Sequence, residues 1–439
     1  MKLIRYIPLL FLVFLPLWIA TTFAETNTPT AIESVSNWEN AMALTGANAN
    51  TPNGAQRPVI SVAPNGNLII VYLKQLSGND LDTDPFYRKS TDGGKTWTVP
   101  ARIYSSIASS RQVDVVFDNS NRAHAVWTEN NNQLWYARDD VWASNGAKQP
   151  FASAQILIES PQLAVGPNGA LHLVWFRANI NDENILYSSS TNSTNGGANW
   201  STPEDISNPT GASLGASQSP AIAIDSSNRV HVVWEEQVGG TQYQINYSRR
   251  ETNGVWSTPV GISTVVTGIT SAREPKIIIQ GTKVIVAFED RSATNQQTLY
   301  YLECSSNCTT TPVTTAAWKS QLATVQAYTV KDTDPSFLVP QIVSTGRCNV
   351  LFFSGIIGSP SSNNEKIFLS DSCDNFSSNP MIQAVNNSLG ANDRAIKPSA
   401  IAVNNWTIFV AYERKGTTRS DIYFVKSKPA LYLPVIIQR

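Results

Sequence analysis

The chain has 439 residues, 32 of them basic and 33 acidic, for a formal net charge of −1. That balance supplies no general field for nucleic acid or anionic lipid, and no long basic run occurs, so neither is expected as a partner. A length of this size ordinarily means two or three domains, unless an internal repeat organises it as one.

At the start, Lys2 and Arg5 precede an apolar stretch from Ile7 to Ala20, with small residues at Thr22 and Ala24. This is the pattern of a signal peptide over residues 1–24, and it predicts a secreted or extracellular product. The stretch is shorter than the roughly 20 residues that span a bilayer, and no later one approaches that length, so no membrane span is predicted. Residues 25–30 read as a short linker. Residues 31–428 read as the folded domain, and 429–439 as a C-terminal tail in which Pro434 would interrupt a helix.

The next segment, residues 37–45, carries Trp38 and Leu44 and has the pattern of an outer strand. After it, a self-similar segment recurs seven times, starting near residues 57, 111, 160, 219, 273, 339 and 397. Each copy opens with a short apolar strand, introduced by Pro58, Pro161, Pro220, Pro275, Pro340 or Pro398, with Val113 in that place in the second copy. A polar turn follows, as at 63–67 and 166–169, built from residues that preset the bend or tolerate positive φ. The second strand ends in an aromatic at Tyr72, Trp127, Trp175, Trp234, Phe288, Phe353 and Tyr412. The third alternates an aliphatic with an aromatic two positions on, as in Leu134 and Tyr136 or Ile245 and Tyr247, the period of a pleated strand. A weaker fourth follows Trp97, Trp200 and Trp256.

Four strands make one propeller blade, and a period of this size predicts an all-β, seven-bladed β-propeller of four-stranded antiparallel blades. The seventh copy stops near Lys428 after three strands. Residues 37–45 are therefore expected to pair into it and close the ring, hiding an open edge.

Within the first copy, Ser90-Thr91-Asp92-Gly93-Gly94-Lys95-Thr96-Trp97 matches the S-x-D-x-G-x-T-W Asp-box, and a second copy at 193–200 carries Asn195 for the aspartate. The chain thus resembles the sialidase-superfamily propellers, whose repeats carry this box. The resemblance implies a structural role for Ser90, Asp92, Gly94 and Trp97 in the turn between third and fourth strands, on the face opposite the active site.

Strand direction places the first-strand starts and second-strand ends on one face, which collects Arg57, Arg111, Arg273, Glu274 and Lys397 near the axis. The resemblance implies arginines that fork onto a substrate carboxylate and an aspartate acid/base on the first-blade loop. On that implication Arg57 and Arg273 are the substrate-binding arginines, with Arg111 or Lys397 as the third member. Asp82 is the acid/base candidate, with Asp80 and Asp84 as alternates. No tyrosine or glutamate is assigned as nucleophile or its partner. The same residues also suit the ordinary polar lining of a channel mouth.

His124, His172 and His231 recur at one place in successive copies, where Ile69 and Ile285 stand in others, so they read as repeat residues and not as metal ligands. The Asp80–Asp84 loop lacks the glycine and distal glutamate of an EF-hand, and no cofactor motif is present. Four cysteines in an exported chain suit disulfides better than zinc, because none has a histidine beside it at ligand spacing. Strand order predicts Cys304 with Cys308 and Cys348 with Cys373. Two functions follow: a sialidase-like exo-acting glycoside hydrolase on acidic sugars, or a noncatalytic propeller that binds glycan or protein.

Overall fold

The computed structural model describes residues 38–45, 54–76, 82–151, 157–179, 182–190, 199–208, 215–293, 296–304, 308, 314–328, 340–345, 348–355, 366–372, 381–385, 394–402, 407–416 and 420–428. The expected signal peptide and linker, the tail, Asp80, Asn195 and Cys373 lie outside the described residues. No helix of the described residues is long and apolar enough to cross a membrane.

Seven antiparallel sheets follow one another along the chain, each ordered first strand to last from the centre outward. Blade one is Ala55–Val62, Leu68–Gln75, Thr83–Ser90 and Ala101–Arg102. Blade two is Ser110–Phe117, Ala123–Glu129 and Gln133–Arg138. Blade three is Leu157–Val165, Leu171–Asn179, Asp182–Ser190 and Glu204–Asp205, and blade four is Ser217–Ile224, Val230–Gly239, Gln242–Arg250 and Val260–Gly261. Blade five is Ala272–Gln280, Lys283–Ala293, Gln296–Cys304 and Lys319–Tyr328, and blade six is Gln341–Ser344, Asn349–Gly355, Lys366–Ser372 and Met381–Ala384. Blade seven is Arg394–Ala402, Ile408–Lys415 and Ser420–Lys426, completed by Met42–Ala43 from the N-terminal segment.

The closing strand pairs Met42 with Phe424 and Ala43 with Tyr423. Around it, Leu44 N–H donates to Ile422 O at 2.8 Å, Glu39 N–H to Lys426 O at 2.9 Å, and Trp38 bridges Ser427. Blade two is the exception to four strands, its fourth reduced to one bridge between Tyr136 and Lys148. The chain there turns in a short 3-10 helix, Trp142–Ser144, and sinks Trp142 into the apolar core between blades one and two, which draws it off the sheet edge.

Every second strand is buried on both faces, which explains its continuous apolar run. Parity along the strand then decides the neighbour. In blade one Leu68, Ile70 and Tyr72 pack with Phe409 and Phe424 of blade seven, whereas Ile69, Val71 and Leu73 pack with Val113, Ala125 and Trp127 of blade two. The seven strand-ending aromatics all sit in the interface with the preceding blade: Tyr72, Trp127, Trp175, Trp234, Phe288, Phe353 and Tyr412. The core is a ring of seven apolar wedges.

The inner strands share a kink. Their pairing slips at the same point in blades one, two, three, four, five and seven. At each slip stands a residue with positive φ: Arg57, Gln112, Ser160, Ser219, Glu274 and Lys397. All but Gln112 precede proline, and none is glycine, so each holds a left-handed conformation that costs roughly 1–2 kcal/mol and that the surrounding sheet must over-determine. The bulge breaks the simple alternation of the inner strand and decides which side chains meet at the axis.

Candidate functional site at the axial mouth

The six bulge residues and five of their successors line a cavity of about 240 Å³ on the axis. Its cations are Arg57, Lys276 and Lys397, and its acids are Asp114 and Glu274, among Gln112, Gln162, Gln341 and serine hydroxyls. At two of the bulges a carboxylate one blade back holds the strained backbone in place. Arg57 N–H donates to Glu413 Oε2 at 3.2 Å, and Glu274 N–H donates to Glu235 Oε1 at 2.8 Å. Lys397 shares Glu413 at 3.6 Å, and Glu274 pairs with Arg291 at 3.2 Å.

Arg57 and Lys276 are different. Among the described residues neither the Arg57 guanidinium nor the Lys276 ammonium has an ion-pair or hydrogen-bond partner, although both line the cavity.

The other two arginines lie elsewhere. Arg273 stands one position before the blade-five bulge, so it turns from the axis. It pairs with Glu235 at 2.7 Å, its guanidinium carbon 3.0 Å from the centre of the Tyr243 ring. Burial first, and the neighbouring Glu274 second, push the Glu235 carboxyl up, and Arg273 opposes both. Arg111 likewise precedes its bulge residue, Gln112, and is not among the lining residues. With Arg57 it lowers the pKa of Glu159, whose carboxyl burial otherwise raises. The structure thus brings Arg57, Lys276 and Lys397 together. Lys276 escaped the sequence reading because the register slip between Arg273 and Lys276 is invisible in a strand pattern.

The first-blade acids lie off the axial cavity, toward blade two. Asp82 is half-buried, and its backbone carbonyl accepts from Leu76. Asp84 is buried, its carboxyl pushed up to about 6 by desolvation, against the pull of Arg102 at 3.2 Å. Glu129 of blade two is also pushed up by burial, and Asp84 adds to the effect. Glu129 Oε1 accepts from Ser110 Oγ and Trp127 Nε1, both at 2.6 Å. Tyr104 joins these two acids: burial and the charges of Glu129 and Asp84 raise its phenol. Tyr104 and Glu129 were unassigned in the sequence because their proximity to Asp84 arises only across the blade one–two interface.

On the opposite face the Asp-box closes on itself. Ser90 Oγ donates to Asp92 Oδ1 at 2.8 Å, Gly94 N–H to Ser90 Oγ at 2.9 Å, and Thr96 N–H to Asp92 Oδ1 at 2.9 Å. The Thr96 hydroxyl and these other bonds hold the Asp92 carboxyl down at about 2. Trp97 Nε1 donates to Gly94 O at 3.1 Å, and its ring meets Phe424 of blade seven edge-on at 5.1 Å.

The histidines are buried, and each Nδ1 shares a proton with a third-strand tyrosine: His124 with Tyr136 at 2.7 Å, His172 with Tyr187 and His231 with Tyr247, both at 2.8 Å. No group of three or more potential ligating side chains is arranged to hold a metal among the described residues. A disulfide joins Cys304 and Cys308, whose Cα atoms are 5.8 Å apart. Cys348 is also disulfide-bonded, and its expected partner Cys373 lies outside the described residues.

No known protein family matches the chain by sequence profile, and no curated protein matches it by sequence. Solved structures do resemble it. A protein of unknown function from Dyadobacter fermentans is 14% identical over 89% of this chain and 98% of its own, with a TM-score of 0.52. An α-L-arabinanase from Penicillium chrysogenum is 11% identical over 90% and 99%, with a TM-score of 0.48. An intramolecular trans-sialidase from Ruminococcus gnavus is 11% identical over 88% and 97%, with a TM-score of 0.46. The first of these is a likeness of fold.

Proposed function

We propose that the chain is a glycan-binding propeller whose axial cavity captures the carboxylate of an acidic sugar. The observation that carries this is a pair of cations without an ion-pair or hydrogen-bond partner among the described residues, Arg57 from blade one and Lys276 from blade five, in one small polar cavity. An unpaired cation in a partly desolvated cavity is favourable chiefly when an anion completes it, and guanidinium matches a carboxylate bidentately. Glutamine and serine side chains around them suit sugar hydroxyls. A titration of the purified protein with sialic acid and other acidic sugars tests the reading. Arg57→Ala and Lys276→Ala should each weaken binding tenfold to hundredfold, the range of a charge-assisted hydrogen bond of roughly 1.5–3 kcal/mol. Arg273→Ala should change affinity much less, because its charge is already matched by Glu235. Parental affinity in the first two variants would remove the axial site.

A hydrolytic reading has one observation in its favour, the grouping of Asp84, Glu129 and Tyr104. A carboxyl raised to about 6 can stay protonated long enough to serve a leaving oxygen. It stands apart from the axial cations, so it does not share their ligand without a substrate that reaches both. Turnover of a fluorogenic sialoside that disappears in Asp84→Asn supports hydrolysis. Its absence in the parent leaves binding as the function.

A further inference from the structure

The axial cavity contains an acid that competes with any anionic ligand. Asp114 enters from the inner strand of blade two and is 8% exposed; its Oδ2 accepts from Leu163 N–H at 2.7 Å. The second strand of its own blade sets Val126 opposite it. The charged groups on its own strand and on the other inner strands are Arg111, Arg57 of blade one, Glu159 of blade three, Arg273, Glu274 and Lys276 of blade five, and Arg394 and Lys397 of blade seven. Lys397 is engaged with Glu413 and Glu274 with Arg291. Lys276 is the cation that acts on Asp114, from across the axis and without ion-pair contact. No histidine lines the cavity among the described residues.

On the reading that this cavity holds an anion, we infer that ligand capture is coupled to protonation of Asp114, so that the cavity binds under mildly acidic conditions and releases as pH rises. In about 240 Å³ a ligand carboxylate and the Asp114 carboxylate cannot be far apart, and two like charges in a poorly solvated space repel strongly. One proton removes the repulsion and leaves Lys276 to the ligand. Burial already lifts the Asp114 carboxyl to about 6, against the backbone N–H groups of Leu163 and Val115 and the charge of Lys276. A bound anion lifts it further, so binding and proton uptake promote each other.

The test is a calorimetric titration of the purified protein with sialic acid, whose own carboxyl stays ionised throughout, at about pH 5.5 and about pH 7.5. The parent should bind roughly tenfold or more weakly at the higher pH. Repeating the titration near neutrality in buffers of different ionisation enthalpy should show uptake of about one proton per ligand. Asp114→Asn keeps an acceptor for Leu163 N–H and should bind at both pH values with the parent's low-pH affinity. Glu159→Gln, the control for the other raised carboxyl nearby, should retain the parent's pH dependence. Flat affinity without proton uptake in the parent, or a slope that survives in Asp114→Asn, overturns the inference and leaves the binding site standing. Absence of binding at either pH overturns the site itself, and this coupling with it.

Discussion

At the scale of single residues, the repeat tolerates substitution wherever a neighbour can supply the missing partner. Tyr301 has Ile285 where blades two, three and four have histidine, and its hydroxyl instead accepts from Asn349 Nδ2 of blade six at 3.0 Å. Blade three shows the opposite case. His124 and His231 have Asp118 and Asp225 at Nε2, at 3.2 and 3.3 Å, but Gly166 stands in that place before His172, whose Nε2 has no partner among the described residues. Desolvation, with a smaller push from Arg250, lowers His172 to about 4. The folded state therefore binds its proton less readily than the unfolded chain. The stabilisation is fully present above the ordinary histidine pKa near 6.5 and is lost as pH falls from there toward 4, by up to about 3 kcal/mol. Asp84 and Asp114, both raised to about 6, act in the opposite sense between their ordinary range and 6. Thermal unfolding of His172→Ile and parent at about pH 7 and about pH 5 should show a smaller loss of Tm on acidification in the variant. Gly94 gives a second residue-scale expectation. It holds φ +84, and an added Cβ would lie 2.5 Å from Phe424 Cζ. Gly94→Ala should lower stability by roughly 2 kcal/mol or more and leave acidic-sugar affinity unchanged, since the box is on the far face.

At the scale of the element, the second strand carries most of the fold, because each of its faces closes a different wedge of core. Trp234 is fully buried in the blade three–four wedge, and its indole N–H donates to Glu236 at 2.8 Å. Trp234→Ala should cost about 3–5 kcal/mol in chemical denaturation, the range for a buried aromatic whose cavity cannot collapse. A smaller effect would mean that the blade interfaces repack easily. The turns after the inner strands of the first four blades belong to the same scale and come in two forms. Pro64-Asn65-Gly66 and Pro167-Asn168-Gly169 serve blades one and three, while blades two and four use aspartate turns at Asp118 and Asp225. The two forms interlock. Asn65 N–H donates to Asn121 Oδ1, and Asn168 N–H donates to Asn228 Oδ1, both at 2.9 Å. Asn119 Nδ2 also reaches Pro167 O at 3.1 Å. What reads as loose variation in a turn is a set of latches between blades.

At the scale of the whole molecule, closure is the decisive feature, since a ring that failed to close would leave the edge of blade seven exposed. Trp38 and Leu44 are buried in the wedges on either side of that blade, so the closing segment contributes side chains as well as strand pairing. Trp38→Ala should therefore destabilise the whole propeller by about 3–5 kcal/mol, and limited proteolysis should then open the chain first in blade seven. Persistence of parental stability would mean that the ring closes without this anchor.

The sequence by itself determined the number of blades, the strand content of all but the second, and the closing segment, because burial of every second strand on both faces imposes an apolar run ending in an aromatic seven times over. It also determined the Asp-box turn, whose bonds are all local. The missing fourth strand of blade two was not legible, since Trp142 leaves the edge only because a pocket between two blades accepts it. The axial cations were half legible. Arg57 could be placed from strand direction, but a slip of register at Glu274-Pro275 turns Arg273 toward Glu235 and sets Lys276 on the axis instead. Such a slip depends on backbone contacts between neighbouring strands, and side-chain identity along one strand carries no record of it. For the same reason the grouping of Asp84, Glu129 and Tyr104, and the facing of Asp114 and Lys276, were decided by tertiary structure: each joins residues from different blades, brought together only when the ring closes.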